Sequence, residues 1–576
     1  MASPFDTTTY PLLDLQQPGS RIYYVSSTEG DDATAEIYFW DGTHIVDSSG
    51  STTGEGGKIY GTDPRDPTGP IKPYRRWSFV APRRVANEEI GHPWDGSGAS
   101  VPGGIEPAMR YEYPDWWLFK RGDTFDLYED YLSFARESNP AIDTINAGSL
   151  AVPGGSSETQ RQVVGAYGPL GLNRPRFINP VGAGFIWRTT DPCPKHIVYL
   201  SLHFDGRQER NARGFIFLRQ SSDAIDIVIE DIWSNGTEGN KVQNSAAQVT
   251  VRRSVITDTW TTGGSHVQGL FFYGERAARL RVEESIFMRN GFAYDDLNNT
   301  GWPPSGDQIY DVFNRNFYLS GECENMNSGV FDTISMVGSS GDQVRPGMKV
   351  ERNFFYQGYL FMGAHGGYPD SDGPTGTIVD NVFQRFKARG TRDNRGHPGW
   401  GIGLTSGAYG VEVARNIITS AAANLTDFRW SYAIQLEPLG WYCYSHTFHY
   451  PTRNNSIHDN IFDTNTANSA FIFIDGIDPD ASSCDASNPS NWVYPGVTHN
   501  TITNNFVINA GGMESEYIPF PNASGTVNDT VISDNTIYPS RTAAASAEGW
   551  PDPDRTLKTY MVSLGYPVSP TSDGLM

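Results

Sequence analysis

Cysteine is scarce. Four stand in 576 residues, at positions 193, 323, 443 and 484, and none forms a CxxC pair or a zinc-type spacing, which excludes a disulfide scaffold and a clustered zinc centre. Cys443 and Cys484 could bridge, and scattered buried thiols explain them equally well. Positive charge is also in deficit: 43 Lys and Arg face 66 Asp and Glu, a formal charge of −23 with a pI near 4.8. That balance argues against wrapping nucleic acid or docking on an anionic membrane, both of which need clustered Lys and Arg. No apolar run approaches membrane-spanning length. The opening MASPFDTTTYP has no basic stretch followed by an apolar core, so the chain is expected outside the cell either with its signal already removed or as part of a virion. Nothing resembles a long amphipathic helix before the last thirty residues.

What is abundant fits strands joined by turns: 61 Gly, 37 Pro and 13% aromatic residues. One short phrase recurs from Asp231 to Asn535, with its clearest copies KVERNFF, TIVDNVF, VEVARNII, SIHDNIF, TITNNFV and VISDNTI. Each places an apolar residue three before an Asn and another two after it, as in Val350/Asn353/Phe355, Ile378/Asn381/Phe383 and Val413/Asn416/Ile418. The same holds for Ile457/Asn460/Phe462, Ile502/Asn505/Val507 and Ile532/Asn535/Ile537. Three earlier copies have Asp231, Ser254 and Ser285 at that place. Steps along the central position are 23, 31, 68, 28, 35, 44, 45 and 30 residues, the step of 68 hiding a degenerate turn near Thr333.

Repeats of this length mean a solenoid, whose coils pack only on their neighbours, so one domain can exceed the usual single-core limit. The expected fold is all-β, a single-stranded right-handed parallel β-helix with an N-terminal cap and loops and a short C-terminal helix. Its Asn residues would stack at the bends and satisfy backbone groups of the next coil. Antiparallel hairpins are the plainer alternative, but Asn-Gly and Asp-Gly turns do not separate the runs. The boundaries are 1–160 for the cap region, 161–541 for the helix and 542–576 for a tail in which DRTLKTYMVSLGY, with Asp554 as helix cap, is the helical segment. The insertion from Asp41 to Glu112 reads as loops protecting an exposed sheet edge. The RGD at Arg121 to Asp123 reads as a turn rather than an adhesion motif.

The opening YYVSSTEGDD, then WWLFKRGDTF and VVGAYGPLGLNRPRF, resembles the start of many extracellular β-helix proteins that act on polysaccharides. The centre resembles bacterial and phage right-handed β-helix repeat proteins, related to polysaccharide lyases. There a phrase like NxYL precedes a GxQxRPGG-like turn and then VENNLF. Here these are Asn316, Tyr318 and Leu319, then Gly341, Gln343, Arg345, Pro346 and Gly347, then Val350, Glu351, Asn353 and Phe355. The resemblance spans about two-thirds of the chain and implies a fold more than a reaction.

Second strands in each coil can be laid over one another: GLFFYG, RNFYLSG, DQVRPG, YLFMGAH, WGIGLTSG, YAIQLEPLG and AFIFIDG. Period-two alternation sends Phe271, Phe317, Val344, Leu360, Ile402, Ile434 and Ile472 inward. The outward line is then Phe272, Tyr318, Arg345, Phe361, Gly403, Gln435 and Phe473. Sugar rings stack on aromatic faces, and Arg and Gln offer several groups to hydroxyls or carboxylates, so the line could track a glycan; loops folded over it would instead make it ordinary core.

Asp342, Arg345, His365 and His397 flank its middle, with Gln343 and His397 as substrate-contact candidates, Glu437 and Asp475 follow two coils on, and Asp307, Asp311 and Glu322 bracket Tyr318. A uronate lyase needs a cation on the carboxylate-derived enolate and a base for the C5 proton, roles open to Arg345 with Tyr318 or His365. A glycoside hydrolase needs two carboxylates about 5–10 Å apart, for which Asp342 with Glu437 or Asp475 are the candidates. β-Elimination is favoured because Arg and Tyr, not carboxylates, sit on the line. A non-catalytic glycan-binding rod, such as a phage tail fibre, is the reading from another class. Such a fibre would be a homotrimer, though no heptad supports it. His446 and His449 lack a carboxylate at ligand spacing and read as structural. No cofactor is expected beyond a structural Ca²⁺, for which PDSDG and DGIDPD have oxygen ligands without the Asp-x-Asp-x-Asp-Gly loop.

Overall fold

The computed structural model describes residues 18–548 apart from internal stretches, the longest being 81–113, 139–149, 295–307, 364–374, 387–398, 421–430, 438–451, 475–496 and 509–528. The chain divides into two compact units, Met1–Gly263 with Tyr294–Asp307, and Gly264–Ala293 with Gln308–Met576. Each is a right-handed parallel β-helix in which successive coils contribute one strand to each of three sheets.

In the first unit, the first sheet runs in the order Ile45–Val46, Tyr38–Trp40, Arg21–Val25, Trp116–Lys120, Gln162–Tyr167, Ile197–Leu200, Ile227–Glu230 and Gln248–Arg252. Its two outermost strands pair antiparallel and the rest parallel, so a hairpin closes the edge that a bare parallel strand would leave open. The second sheet holds Thr124–Asp126, Arg176–Ile178, His203–Asp205, Trp233–Asn235 and Val255–Thr257, and the third Ile186–Arg188, Ile216–Arg219 and Lys241–Gln243. The interior is aromatic. Tyr23 stacks on Trp117 at 4.2 Å, Phe119 meets Phe177 at 4.8 Å, and Phe204 lies on Phe215 at 5.6 Å.

A helix at Leu127–Ser138 departs from the expectation that none would occur this early. Its signals are local: Asp126 Oδ1 accepts the Glu129 N–H at 3.1 Å, acids fill the first turn, and Leu127, Tyr131 and Leu132 are buried together. The RGD tripeptide is a turn, with Arg121 and Asp123 each 6% exposed. Asp123 accepts hydrogen bonds from Ser26 Oγ at 2.7 Å and Thr28 Oγ1 at 2.9 Å.

In the second unit the first sheet runs Arg279–Glu283, Gly329–Phe331, Lys349–Glu351, Thr377–Val379, Glu412–Ala414, Ser456–His458, Thr501–Thr503 and Val531–Ser533. The second runs Ile286–Met288, Ile334–Met336, Phe354–Tyr356, Val382–Phe386, Ile417–Ser420, Ile461–Asp463, Phe506–Ile508 and Thr536–Tyr538. Register carries Val350 over Ile378 and Ile378 over Val413. Phe355 and Phe383 stack at 4.6 Å. A coil through Gly329–Phe331 and Ile334–Met336 fills the long step, its bend at Thr333.

The Asn ladder is present. Asn416 Oδ1 accepts from the backbone N–H and from Nδ2 of Asn381, both at 3.0 Å. Asn416 Nδ2 donates to Asn460 Oδ1 at 2.9 Å and to the Ile378 carbonyl at 2.7 Å. The pattern repeats through Asn353, Asn460, Asn505 and Asn535. Immediately before each amide stands a residue at positive φ, such as Arg352 (58°), Asp380 (59°) and Arg415 (55°). That position corrects one expectation: Asp231, with φ 56°, precedes the ladder place, which Ile232 occupies, its N–H donating to Ser254 Oγ at 3.2 Å. A second ladder, Asn455 to Asn500 at 2.9 Å, closes the bend entering the first sheet. A further helix, Arg541–Glu548, lies before the segment at Asp554, which is outside the described residues.

Candidate functional site

The third sheet of the second unit comprises Gln268–Gly274, Arg315–Gly321, Asp342–Val344, Leu360–Gly363, Gly399–Thr405, Ser431–Glu437 and Ser469–Ile474. Register decides which side chains share a column. Phe271 lies opposite Tyr318, Tyr318 opposite Gln343, and Gln343 opposite Phe361. Phe361 then faces Gly403, Gly403 faces Gln435, and Gln435 faces Phe473.

Two members of the expected outward line are therefore displaced. Phe272 is fully buried and Phe271 takes its place, because the run Leu270-Phe271-Phe272-Tyr273 has no apolar–polar alternation, and a slip of one residue reverses the face. Arg345 is half-buried and outward, but it belongs one column along, its N–H donating to the Leu319 carbonyl at 2.9 Å. Gln343 fills the column. On the inward side Asp342, not Val344, pairs with Leu360.

The displacement brings three groups together. The Arg345 guanidinium carbon lies 4.7 Å from the Tyr318 ring centroid, and Arg345 Nε donates to Gln343 Oε1 at 2.8 Å. Phe271 stacks on Tyr318 at 5.3 Å and 22°. Arg315, buried at the start of the strand, places its own guanidinium carbon 5.1 Å from the same centroid. Tyr318 thus sits among two cations and a second ring, a cation–π cluster that fixes both guanidinium groups. Arg315 was not singled out from sequence, since an Arg opening a strand carries no signal of the ring it will cover, and Phe271, expected inward, lies in the outward column instead.

Asp342 is 2% exposed and points away from this face. Its Oδ1 accepts the Phe317 N–H at 3.0 Å, and Oδ2 is bonded to Ser335 Oγ. Burial pushes its carboxyl up to about 7, against the lowering effect of the Ser335 and Phe317 hydrogen bonds and the Arg315 charge. It extends an interior polar ladder in which Asn290 Nδ2 donates to Asn316 Oδ1 at 2.9 Å and Asn316 Nδ2 to Ser335 Oγ at 2.8 Å. Asp342 is therefore an interior carboxyl and does not share the outward face with Arg345.

Exposure varies along the column. Phe271, Tyr318, Gln343 and Phe361 are half-buried, whereas Gly403 and Gln435 are buried, so the covered arrangement holds over those coils. Tyr273, 40% exposed, lies opposite Ser320 in the next column. Glu437 and Phe473 lie in strands, but their side chains are outside the described set. So are His365, His397, Asp307, Asp311, Glu322, Asp475, His446, His449, the four cysteines and both acidic runs. Among the described residues no group of three or more His, Cys, Asp or Glu is placed to hold a metal ion, and no helix is long and apolar enough to cross a membrane.

No protein-family model and no curated protein matches the chain. Among solved structures it is similar to a PL6-family polysaccharide lyase from Pseudopedobacter saltans, at TM-score 0.32 and 11% identity, over 74% of this chain and 95% of that one. It is also similar to a GH136 lacto-N-biosidase from Eubacterium ramulus, at TM-score 0.31 and 11% identity, over 90% of this chain and 68% of that one.

Proposed function

We propose that the second unit binds an extended acidic glycan along the outward column from Phe271 to Phe361 and cleaves it by β-elimination. The observation that carries this reading is Arg345 held over Tyr318 and fixed by Gln343, beside a stacked Phe271. Strands of adjacent coils lie about 4.8 Å apart, so four half-buried side chains make a track on which sugar faces stack. Arg345 is placed to pair with a uronate carboxylate and to stabilise the enolate that forms when the C5 proton leaves. Tyr318 is the base candidate on the same face. Its oxygen takes the C5 proton, the electron pair forms the C4–C5 double bond, and the 4-linked sugar departs with a proton. His365 and His397 remain candidates for the proton to the leaving group and for substrate contact.

Hydrolysis on this face draws less support. Of the named carboxylates, Asp342 faces the interior, which leaves Glu437 and Asp475 to act together. An extracellular setting follows from an acidic glycan as partner, and any Ca²⁺ would have a structural role.

Incubation with a panel of uronate-containing polysaccharides tests the reading. The expected product absorbs in the ultraviolet as an unsaturated uronate, and Arg345→Ala lowers its rate by about 10²- to 10³-fold without changing the thermal midpoint. New reducing ends lacking that absorbance would assign hydrolysis instead. Binding without products would leave a glycan-binding protein, and turnover unchanged in Arg345→Ala would remove Arg345 from the site.

A further inference from the structure

Beside the column from Phe271 to Phe361, the third sheet of the second unit carries a second outward column. Parallel pairing sets Tyr273 opposite Ser320 and Leu319 opposite Val344, and the Arg345 N–H donates to the Leu319 carbonyl at 2.9 Å. In a parallel ladder an N–H that bonds the carbonyl just before a residue belongs to the partner of that residue, so Arg345 stands opposite Ser320. The second column therefore reads Tyr273, Ser320 and Arg345 over three successive coils. Tyr318, two residues before Ser320, lies beside it on the same face.

Side-chain size shapes this column. The inward neighbours Phe272, Leu319 and Val344 are 0% exposed, whereas Tyr273 is 40% exposed and Tyr318, Ser320 and Arg345 are half-buried. In the first column a ring follows a ring, Phe271 on Tyr318 at 5.3 Å. In the second a serine follows the ring, and its short side chain is too small to cover Tyr273 as Tyr318 covers Phe271. Beyond the serine stands a cation. The Arg345 guanidinium carbon lies 4.7 Å from the Tyr318 centroid, which brings the charge back toward the coil of Ser320, and Arg345 Nε is held on Gln343 at 2.8 Å. Ser320 is thus a low floor bounded by two aromatic side chains and a guanidinium.

Adjacent coils lie about 4.8 Å apart, so the strands of Tyr273 and Arg345 are about 10 Å apart across the serine. A saccharide ring packed on Tyr273 at a contact of about 4 Å occupies most of that width. Its C–H face suits the negative face of the phenol ring, and a carboxylate on the sugar is then within reach of the guanidinium fork. Arg315 places a second guanidinium carbon 5.1 Å from the Tyr318 centroid. The floor is therefore locally positive in a chain of formal charge −23, which favours an anionic sugar over a neutral one.

We propose that Tyr273, Ser320 and Arg345 form a single-sugar subsite in which one uronate lies over Ser320, stacked on Tyr273 with its carboxylate on Arg345. The inference rests on the reading of Arg345 as the carboxylate partner. It adds that the sugar Arg345 holds lies in the second column, and that Tyr273 and Ser320 decide its fit. Tyr273 supplies the stacking surface, and Ser320 acts by being small.

The test titrates tetrasaccharides of galacturonate, mannuronate and glucuronate into the full chain by calorimetry, and measures KM and kcat for any that is cleaved. For the tetrasaccharide that binds the wild type most tightly, Tyr273→Ala weakens binding by about 10-fold and raises KM rather than lowering kcat. Tyr273→Phe, which keeps the ring, restores the affinity. Ser320→Leu fills the floor and weakens binding at least as much as Tyr273→Ala. Should Ser320→Leu lose its cooperative thermal transition, the two Tyr273 variants decide the matter. Affinity unchanged in Tyr273→Ala, or lost equally in Tyr273→Ala and Tyr273→Phe, overturns the subsite and leaves the elimination reading to the Arg345→Ala comparison. The expected order of affinities without an unsaturated product keeps the subsite and overturns elimination. No binding of any of the three by the wild type overturns both.

Discussion

The two units close the bend between their first and second sheets by different means. In most coils of the second unit an amide fills the bend, and each amide satisfies its predecessor and the carbonyl one coil back. In the first unit the same place holds Ile232 and Ser254, and the polar work passes to ions: Arg174 on Asp231, with Arg252 on Glu230 at 3.0 and 2.9 Å. A neutral ladder is self-templating, because each Asn has its four partners supplied by the coils above and below. An ionic bend needs long side chains brought in from elsewhere, Arg174 from the loop after the second coil's strand. The amide bend is consequently repetitive in sequence, and the ionic one is not.

The sharpest way to break this contrast is to remove one amide. Asn416→Ala leaves the Asn381 N–H and Nδ2 without their acceptor and the Ile378 carbonyl without its donor, all in a bend where Asn416 is 0% exposed. At about 1–3 kcal/mol for each orphaned group, partly relieved by relaxation, the loss should be roughly 3–5 kcal/mol in urea unfolding. Ser254→Ala removes one accepted bond and one donated bond and should cost about 1 kcal/mol. Equal losses would mean that the ladder is no more than a set of independent caps.

That asymmetry also explains what could be read from the sequence. Asn353, Asn381, Asn416, Asn460, Asn505 and Asn535 share one environment, so they recur and announce the fold. Asp231 misled because it shares only the charge pattern: the positive-φ residue before the ladder also accepts Asp or Asn. The third sheet was legible as a set of strands but not to the residue. Where polar and apolar positions alternate, as at Ile402-Gly403-Leu404, the face was assigned correctly. In Leu270-Phe271-Phe272-Tyr273 nothing marks which ring is inside, and in Asp342-Gln343-Val344 the buried acid looked like the surface residue. No local pattern encodes that Arg315 and Arg345 converge on Tyr318; that depends on register between strands tens of residues apart.

Among the described residues, burial also raises carboxyl pKa values in both units. Burial pushes Asp342 up to about 7 and Asp130, hydrogen-bonded to Ser78, up to about 6. An unfolded Asp titrates near pH 4, so between that value and the folded one the native state binds more protons than the unfolded state. Stability therefore falls as pH rises from about 4 to the folded value and is level above it. Asp342→Asn keeps an acceptor for the Phe317 N–H and offers Ser335 a donor. The variant should be more stable than wild type by on the order of 1–3 kcal/mol at pH 8, with the difference shrinking toward pH 4. A difference independent of pH would mean that Asp342 is ionised in the fold. The slope that remains above about pH 4 then belongs to the first unit, where burial raises Asp130 to about 6 and also raises Glu230.

The smallest effect separates buried from exposed ion pairs at the same backbone position. Four positive-φ residues of the second unit are also paired: Arg352 holds Asp332 at 2.8 and 2.9 Å, and Arg415 holds Asp380 at 2.9 and 3.1 Å. Both arginine side chains are 51% exposed, whereas the Asp231 side chain of the first unit is 0% exposed. Screening by solvent limits an exposed pair to about 0–1 kcal/mol. Arg415→Ala should therefore cost under about 0.5 kcal/mol, and that cost should vanish as salt shortens the Debye length. The Asn ladder beside it already satisfies the bend, so the ion pair there decorates a structure that stands without it. Asp231→Asn weakens the tie on which the first unit's bend depends and should cost more than Arg415→Ala at every salt concentration. If the two substitutions prove equal in denaturant titrations at high salt, the ionic bend is no more essential than its exposed counterpart, and Ile232 and Ser254 alone hold the first unit's bend.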